Sequence, residues 1–277
     1  MLVIDSQVHV WDGGKPPHHH RQSPYSAEEL LADMAVAGVD KAILVPPTWD
    51  PRGNAPSLEA AQRYPDRFAV MGLLSLSPEM TRDELQRWRA QPGMIGARLS
   101  FNRPDTRAML ISGAADWFWD AAEAEDLPIM LLVPGLLPFV AALAARHPKL
   151  RIIVDHLAVP RGAKGAQAFE HLPELLAMAR FDNVAVKAAG LPGYAEGEPY
   201  PFRSLHPYVA QVLSAFGADR VFWGTDLSRM TCSYRECVTM LSEDLDHLSP
   251  QNRNLVMGDG LSRWLRWDVN GMDEVSA

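Results

Sequence analysis

The chain has 277 residues, of which 47% are hydrophobic and 22% are charged, as in an ordinary globular protein with a sizeable core. Its formal net charge of -8 and its lack of a long basic run argue against a nucleic-acid-binding surface and favour work on small molecules. The length is long for an ordinary domain but normal for a single (β/α)8 barrel.

The first predicted element is a short apolar strand, Met1–Asp5, which runs directly into Ser6-Gln7-Val8-His9. Side chains alternate along a strand, so Asp5, Gln7 and His9 are expected to share one face. Three polar side chains on one face of a buried strand indicate a hydrated or functional interior. The alternative is a core histidine whose hydrogen bonds are satisfied beside a turn.

The segment that follows, residues 12–20, is rich in turn formers and predicts a loop over a site. It contains three consecutive histidines, His18, His19 and His20. Three adjacent residues cannot all converge on one ion, so we expect a solvated cluster rather than a metal site.

Helical and strand patterns alternate along the rest of the chain. Capping boxes at Ser26-x-x-Glu29 and Thr81-x-x-Glu84 open two of the helices. Eight strands are predicted, at 1–5, 42–47, 68–74, 93–99, 128–133, 151–156, 184–189 and 221–226. Further helices are predicted at 57–64, 116–125, 137–146, 166–179 and 207–216.

This alternation predicts an α/β fold, a single (β/α)8 TIM barrel. The competing doubly wound open sheet is disfavoured because no glycine-rich dinucleotide loop follows a strand. We expect one domain over residues 1–277, with loop insertions around 12–25 and 191–206.

Polar side chains stand at the predicted ends of several strands. The active sites of such barrels lie at the carboxyl ends of the strands, so these residues are expected to meet at one mouth. They are Gln7, His9, Arg98, His156, Lys187 and Asp226. Simpler explanations remain for some of them: Arg98 could neutralise a buried carboxylate, Lys187 could be an exposed charge, and Asp226 could cap a following helix.

Three features bear on where the protein works. No secretory pattern precedes residues 2–4, and the two cysteines, Cys232 and Cys237, lie five residues apart without CxxC spacing. The longest apolar run, 127–145, is interrupted by prolines and a glycine, so it predicts a strand and a helix rather than a membrane span. We therefore expect a reduced, cytoplasmic protein without membrane or nucleic-acid partners.

The order and spacing of these motifs resemble the amidohydrolase-related TIM-barrel family, in particular the lactonase-like branch with 2-pyrone-4,6-dicarboxylate lactonase and sugar lactonases. The resemblance spans nearly the whole chain and rests on Ile4–His9, Gly96–Leu99, Val154–Leu157, Val186–Leu191 and Trp223–Asp226.

Metal-dependent members of the family have a His-x-His pair at the first strand, histidines at the fifth and sixth, and an Asp at the eighth. Here Gln7 replaces the first histidine, and the fifth strand ends in Leu132-Val133-Pro134. The resemblance to the lactonase branch therefore implies that no cofactor is required. The alternative is one divalent cation, Zn or Mn, on His9, His156 and Asp226.

The resemblance implies a hydrolase that opens a lactone, or a related activated acyl bond, in a small carboxylated substrate. Asp226 is the expected general base, with a pKa raised by a dry site, and His9 and His156 are expected to polarise the carbonyl. The expected substrate-binding residues are Arg98, Lys187, Gln7 and Arg229. The segments 18–20 and 194–203 are expected to cover the site.

Two other functions stay open. One is a metal-dependent decarboxylase or hydratase of the same family, and the other is a barrel that binds a carboxylated ligand without turnover. The sequence predicts neither the identity of the substrate nor the oligomeric state.

Overall fold

A computed structural model describes residues 1–77, 80–114, 116–245 and 248–267. Eight parallel strands form one sheet in the order of the sequence, which confirms the predicted barrel. The strands are β1 Ile4–Val8, β2 Lys41–Leu44, β3 Phe68–Leu73, β4 Met94–Ser100, β5 Ile129–Leu132, β6 Ile152–Val154, β7 Val184–Ala189 and β8 Val221–Gly224.

Helices lie between the strands and after the last one. In the described residues the α-helices are α1 Ala27–Ala37, α2 Ala55–Arg63, α3 Arg82–Arg89, α4 Pro104–Ser112, α5 Asp116–Ala124, α6 Leu137–Arg146, α7 Leu172–Leu176, α8 His206–Phe216, α9 Tyr234–Ser242, α10 Pro250–Asn254 and α11 Gly260–Leu265. No helix in this part of the chain is long and apolar enough to cross a membrane.

Local sequence explains where several helices begin. Ser26 and Thr81 both form the reciprocal hydrogen bonds of a capping box, as predicted. A third box, formed by Ser233 and Glu236, opens α9, a helix that we did not predict.

The helix expected at 166–179 is wrong, because the chain forms a 3-10 turn at 165–169, the short helix α7, and another 3-10 turn at 177–180. Pro173 lies in the first turn of α7, where its ring and its missing N–H prevent a continuous helix through this point.

The two ends of the sheet meet between β8 and β1. The backbone N–H of Asp226 donates to the carbonyl of Gln7 over 2.9 Å. The buried carboxylate of Asp5 accepts from the N–H and hydroxyl of Thr225, at 2.9 and 2.5 Å, and from the hydroxyl of Tyr234 at 2.8 Å. Asp5 is therefore part of the seam that holds these strands together.

The expectation that Asp5 shares a face with Gln7 and His9 is wrong. Pairing between β1 and β2 is irregular between Asp5 and Val8, and such an irregularity breaks the strict alternation of side chains. Asp5 consequently contacts Thr225, whereas Gln7 and His9 contact the residues of the barrel mouth.

Apolar side chains fill the barrel below the mouth. A buried cluster from the strands includes Ile4, Ile43, Ala69, Met130, Ile153, Ala185 and Phe222. A larger cluster packs between the sheet and the helices. The only large polar surface buried inside the barrel therefore belongs, in the described residues, to the side chains at the carboxyl ends of the strands.

Candidate active site

The residues predicted at the strand ends come together at the barrel mouth. Gln7 lies in β1, Arg98 in β4 and Lys187 in β7, while His9, His156 and Asp226 follow their strands directly or by two positions. All six are buried. Contacts join Gln7 to His156 and Lys187, and Asp226 to His9, across distances of more than 140 residues in the sequence.

His9 and Asp226 form the centre of the site. Nδ1 of His9 lies 2.5 Å from the carbonyl of Val45, and this contact places a proton on Nδ1. Nε2 of His9 lies 3.1 Å from Oδ1 of Asp226. With the proton on Nδ1, Nε2 of His9 carries a lone pair. This lone pair cannot face a lone pair of Oδ1 of Asp226 at this distance without a positive charge between them. The contact therefore needs either a second proton on His9 or a metal ion.

His156 is held as a neutral imidazole. Gln7 Nε2 donates to its Nε2 over 3.1 Å, and its own Nδ1 donates to the carbonyl of Ala189 over 3.2 Å. Burial lowers the pKa of His156 to about 4, although the charge of Asp226 opposes this shift. The lone pair of His156 Nε2 therefore accepts from the amide of Gln7, and this nitrogen lies 3.8 Å from Oδ2 of Asp226.

A chain of buried polar contacts fixes the orientation of Gln7. Its Oε1 accepts from Nζ of Lys187, so its Nε2 must be the atom that faces His156. Lys187 is 0% exposed and forms an ion pair with Asp155 over 2.8 Å. Asp155 is paired in turn with Nε of Arg98 at 3.1 Å.

Asp155 is the countercharge for both cations. Burial alone raises the pKa of Asp155, but Lys187 and Arg98 outweigh it and hold the pKa below its usual value. The ion pair of Arg98 uses only Nε, which leaves its two Nη groups without a hydrogen-bond partner among the described residues.

Asp226 adopts a left-handed backbone conformation, which is uncommon among non-glycine residues. Its φ is 51° and its ψ is 47°, and His156 likewise has a φ of 52°. Left-handed conformations of non-glycine residues are strained and cluster at functional sites. The side chain of Asp226 makes no capping hydrogen bond to the 3-10 turn that follows, so the helix-cap alternative is wrong.

The pKa of Asp226 is lowered, not raised as expected. Burial favours the neutral acid, but the guanidinium of Arg229 and the ring of His9 hold the pKa well below its usual range. Nε of Arg229 lies 2.9 Å from Oδ2 of Asp226. Asp226 is therefore ionised throughout the ordinary pH range.

Arg229 is itself fixed by the segment after β7. Its Nη2 donates to the hydroxyl of Tyr194 over 2.9 Å, and its guanidinium stacks on the Tyr194 ring at 5.1 Å. Gly190 allows this approach, because a Cβ at its position would lie 2.2 Å from Nη2 of Arg229. Arg229 also lines a cavity of about 430 Å³ between the 12–25 loop and the loop after β8.

The tip of the 12–25 loop reaches the site. Nδ1 of His20 lies 2.7 Å from Oγ of Ser228, which joins the loop to the segment after Asp226. The ring of His20 lies 4.7 Å from Trp49 and 5.9 Å from His9, measured between centroids. Burial lowers the pKa of His20 to about 4, so His20 is a neutral cover over His9.

Three contributors were not assigned from the sequence: Asp155, Trp49 and Tyr194. Asp155 stands beside His156 in a charged pair at the end of a strand, and this position could have identified it as the partner of Arg98. Trp49 and Tyr194 lie in loops, where no periodic pattern indicates which way a side chain points.

The chain matches the family model described as amidohydrolase over residues 4–260, nearly its whole length. The chain belongs to the amidohydrolase family. It is therefore an enzyme, a hydrolase, and the resemblance seen in the strand-end motifs is confirmed.

The chain is similar to one curated protein in sequence and to two solved structures in fold. The L-fucono-1,5-lactonase of Burkholderia ambifaria is 30% identical over an alignment of 299 positions that covers 98% of each chain. An amidohydrolase of Burkholderia multivorans with bound zinc has a TM-score of 0.80 at 22% identity, covering 96% of this chain and 99% of that one.

The third, a 5-carboxyvanillate decarboxylase of Novosphingobium aromaticivorans with manganese, has a TM-score of 0.67 at 18% identity, covering 96% of each chain. At these identities the two solved structures show a shared fold.

The expectation that no cofactor is required is wrong. One structure of this fold holds zinc and another holds manganese, within a family to which this chain belongs. The expectation rested on the resemblance to the lactonase branch, on Gln7 in place of the first histidine and on a fifth strand that ends without a ligand. The other donors, His9, His156 and Asp226, are still present and close together.

The residues at the mouth fit a divalent ion. Two imidazole nitrogens and a carboxylate are donors that zinc and manganese accept. The buried Oδ1 of Asp226 faces Nε2 of His9 over 3.1 Å, and the carbonyl of Val45 orients His9 as carbonyls orient metal-bound histidines. In the described ranges, however, no group of three or more His, Cys, Asp or Glu side chains is arranged to hold a metal ion. Gln7 and Arg229 fill positions beside His156 and Asp226.

Proposed function

We propose that the protein hydrolyses a lactone, or a closely related activated acyl bond, in a small substrate that carries a carboxylate. The observation that carries the proposal is the position of Asp226, an ionised carboxylate held at a dry barrel mouth between His9 and Arg229. Further support comes from the full-length relative named as a lactonase, at 30% identity.

Two arginines support an anionic substrate, Arg98 at the barrel mouth and Arg229 at the wall of the cavity. Arg98 has free Nη groups, and Arg229 stands between Asp226 and the cavity of about 430 Å³. A guanidinium can bind a carboxylate through two parallel hydrogen bonds. We assign the substrate carboxylate to these two arginines. Lys187, predicted to share this role, already has its charge balanced by Asp155, and we assign it to holding Gln7.

Asp226 is the proposed general base. An arriving carboxylate competes with Asp226 for Arg229, and when Arg229 turns to the substrate, Oδ2 of Asp226 becomes free to accept a proton from water. The left-handed backbone aims this carboxylate into the mouth instead of along the following turn. General-base catalysis of this kind contributes about 10²- to 10⁴-fold in rate.

His156 and Gln7 orient the acyl group in this proposal. Gln7 donates one amide N–H to Nε2 of His156 at the mouth, and the amide carries a second N–H that can donate to the acyl group. His9, His156 and Asp226 would hold a divalent ion. When bound, such an ion polarises a carbonyl oxygen as a Lewis acid. His20 and Trp49 shield His9 from solvent, which strengthens the electrostatic interactions in the site.

The proposal is tested by supplying the purified protein with neutral sugar lactones and with lactones that carry a carboxylate, in the presence of zinc or manganese. Release of acid is followed with a pH indicator, and carbon dioxide is measured in parallel on aromatic carboxylic acids. We expect acid from a lactone and no carbon dioxide. Carbon dioxide release without lactone opening would instead identify a decarboxylase.

Asp226→Asn provides the site-specific arm of this test. The variant keeps the size of the side chain but loses its basic oxygen, so kcat should fall by about 10²- to 10⁴-fold. Asp219→Asn, the same change at an exposed position before β8, should leave kcat unchanged. If Asp226→Asn stays within about threefold of the parent, below the range of a lost general base, another residue is the base.

A further inference from the structure

The two cysteines of the chain flank the start of α9, in the segment Cys232-Ser233-Tyr234-Arg235-Glu236-Cys237. Ser233 is the N-cap of α9, and Ser233 and Glu236 form a capping box. In such helix starts, the residue before the N-cap often packs against the fourth residue of the helix. Here those positions are Cys232 and Cys237, so the geometry of the helix start brings the two thiols together.

The structure places Sγ of Cys232 3.5 Å from Sγ of Cys237, and both are free thiols. A disulfide requires a separation of about 2.05 Å, so a further approach of about 1.5 Å closes the bond. Cys237 is fixed within the helix and 3% exposed, whereas Cys232 precedes the helix and is partly exposed. Most of the movement therefore falls to Cys232.

We propose that Cys232 and Cys237 form a peroxide-reactive dithiol, which a hydroperoxide converts into an intramolecular disulfide and a thiol reductant restores. The thiol of Cys232 loses its proton and its thiolate attacks one peroxide oxygen, so the O–O bond breaks and the sulfur becomes a sulfenic acid. The departing hydroxide takes up the thiol proton and leaves as water. Cys237 then attacks this sulfur, its proton passes to the departing hydroxide, and a second water leaves. Two thiols and one hydrogen peroxide thus give one disulfide and two waters.

The two thiols differ in the way that this sequence of steps requires. The hydrogen bond from Cys237 lowers the pKa of Cys232, and the same contact together with burial raises the pKa of Cys237. Cys232 is also the more exposed thiol, and its neighbour Thr231 lines the cavity of about 430 Å³. Cys232 is therefore the attacking thiol and Cys237 the one that resolves the sulfenic acid.

The disulfide has a structural consequence for the loop after β8. Residues 227–232 carry Arg229, and Cys232 is the last residue of this segment before the N-cap. Joining Cys232 to Cys237 fixes the end of the segment to α9. Backbone amides in this segment should then open less often, which hydrogen exchange measures. The chemistry of the thiols does not depend on the lactonase proposal.

The proposal is tested by treating the full-length protein with a small excess of hydrogen peroxide. We expect both thiols to be lost together and the mass of the chain to fall by two hydrogen atoms. No disulfide should form between chains. Dithiothreitol should restore both thiols. Peptide mapping should find Cys232 joined to Cys237, and hydrogen exchange over residues 227–232 should slow in the oxidised form.

Cys237→Ser is the matched control. It keeps the attacking thiol but removes the resolving one, so peroxide should leave a sulfenic acid on Cys232 that a dimedone probe captures. Cys232→Ser should leave a buried thiol that reacts slowly. Parent protein that keeps both thiols, or loses them only to higher oxides or to disulfides between chains, would overturn the proposal. So would equal peroxide reactivity of the two single variants.

Discussion

Arg229 combines two contacts that a catalytic cycle can exchange. It pairs with Asp226 and also lines the cavity, so its charge can be shared between the proposed base and the proposed substrate carboxylate. This sharing explains why the pKa of Asp226 is low even though the site is dry. An arriving anion can draw Arg229 towards itself and so uncover Oδ2 of this ionised base.

Arg229→Gln should therefore raise KM for a lactone that carries a carboxylate by about tenfold or more, which corresponds to a loss of at least about 1.4 kcal/mol in binding. A charge contact present before and during the reaction acts mainly on KM. A neutral lactone of similar size should show little change, and Arg103→Gln, at an exposed arginine, should change neither. Equal effects on both substrates would show that Arg229 does not bind the carboxylate.

Lys187 contributes to the structure through a buried ion pair with Asp155. It is fully buried, and removing its charge leaves Asp155 paired with Arg98 alone. Lys187→Met should lower the free energy of unfolding by about 3–5 kcal/mol, as expected for a broken buried ion pair. The measurement is urea denaturation, with Lys149→Met at an exposed site as the control.

The double variant Lys187→Met, Asp155→Asn tests the cause of that loss. Removing both charges should recover part of the stability, because the buried carboxylate that has lost one of its two cations is then neutral. A loss below about 1 kcal/mol in the single variant, the range of an exposed pair, would mean that water already screens the two charges.

At the scale of elements, the seam between β1 and β8 positions the site. Gln7 and Asp226 both lie at this seam, and Asp5 ties it through Thr225 and Tyr234. Two catalytic strands that are distant in sequence are thus joined by one buried carboxylate. Any change in that carboxylate should disturb both the closure of the barrel and the mouth above it.

Asp5→Ala should destabilise the protein by more than about 2 kcal/mol, because several buried donors lose their acceptor and each costs about 1–3 kcal/mol. Tyr234→Phe removes a single hydrogen bond to Asp5 and should cost about 1 kcal/mol. Asp66→Ala, at an exposed turn, serves as the control. If Asp5→Ala and Tyr234→Phe lose the same stability under thermal unfolding, the contacts with Thr225 contribute nothing.

The elements also show which parts of the structure can be predicted from sequence. The eight strands were predicted within a few residues because buried parallel strands are continuous apolar runs. The face of the strand on which Asp5 lies was not predicted, because an irregularity in strand pairing depends on the neighbouring strand. The helix α4 was not predicted, because its apolar pattern is weak. The lowered pKa of Asp226 was not predicted either, because Arg229 reaches Asp226 only through the folded turn.

At the scale of the whole molecule, the barrel brings residues that are far apart in the sequence into one site. His9, His156 and Asp226 are spread over most of the chain, yet the order of the parallel strands brings their side chains to one mouth. The same closure places the loop with His18, His19 and His20 above it. The protein consequently has two histidine-rich places for a metal ion, the barrel mouth and the loop. The change in stability on adding metal, compared between variants of the two places, can distinguish them.

An ion that binds only the folded protein raises its stability with the logarithm of the ratio of ion concentration to Kd, by about 2.7 kcal/mol at 100 times Kd. Zinc or manganese should therefore raise the melting temperature of the parent protein, and a chelator should reverse the shift. His9→Ala should abolish the shift, because the contact between His9 and Asp226 is the centre of the proposed ion site.

His18→Ala, which alters an exposed residue of the loop, should keep the whole shift. The opposite pattern, with the shift lost in His18→Ala and kept in His9→Ala, would move the metal from the barrel mouth to the loop. It would also remove the ion from the proposed chemistry, since the carbonyl of the substrate is assigned to the mouth, beside Asp226 and His156.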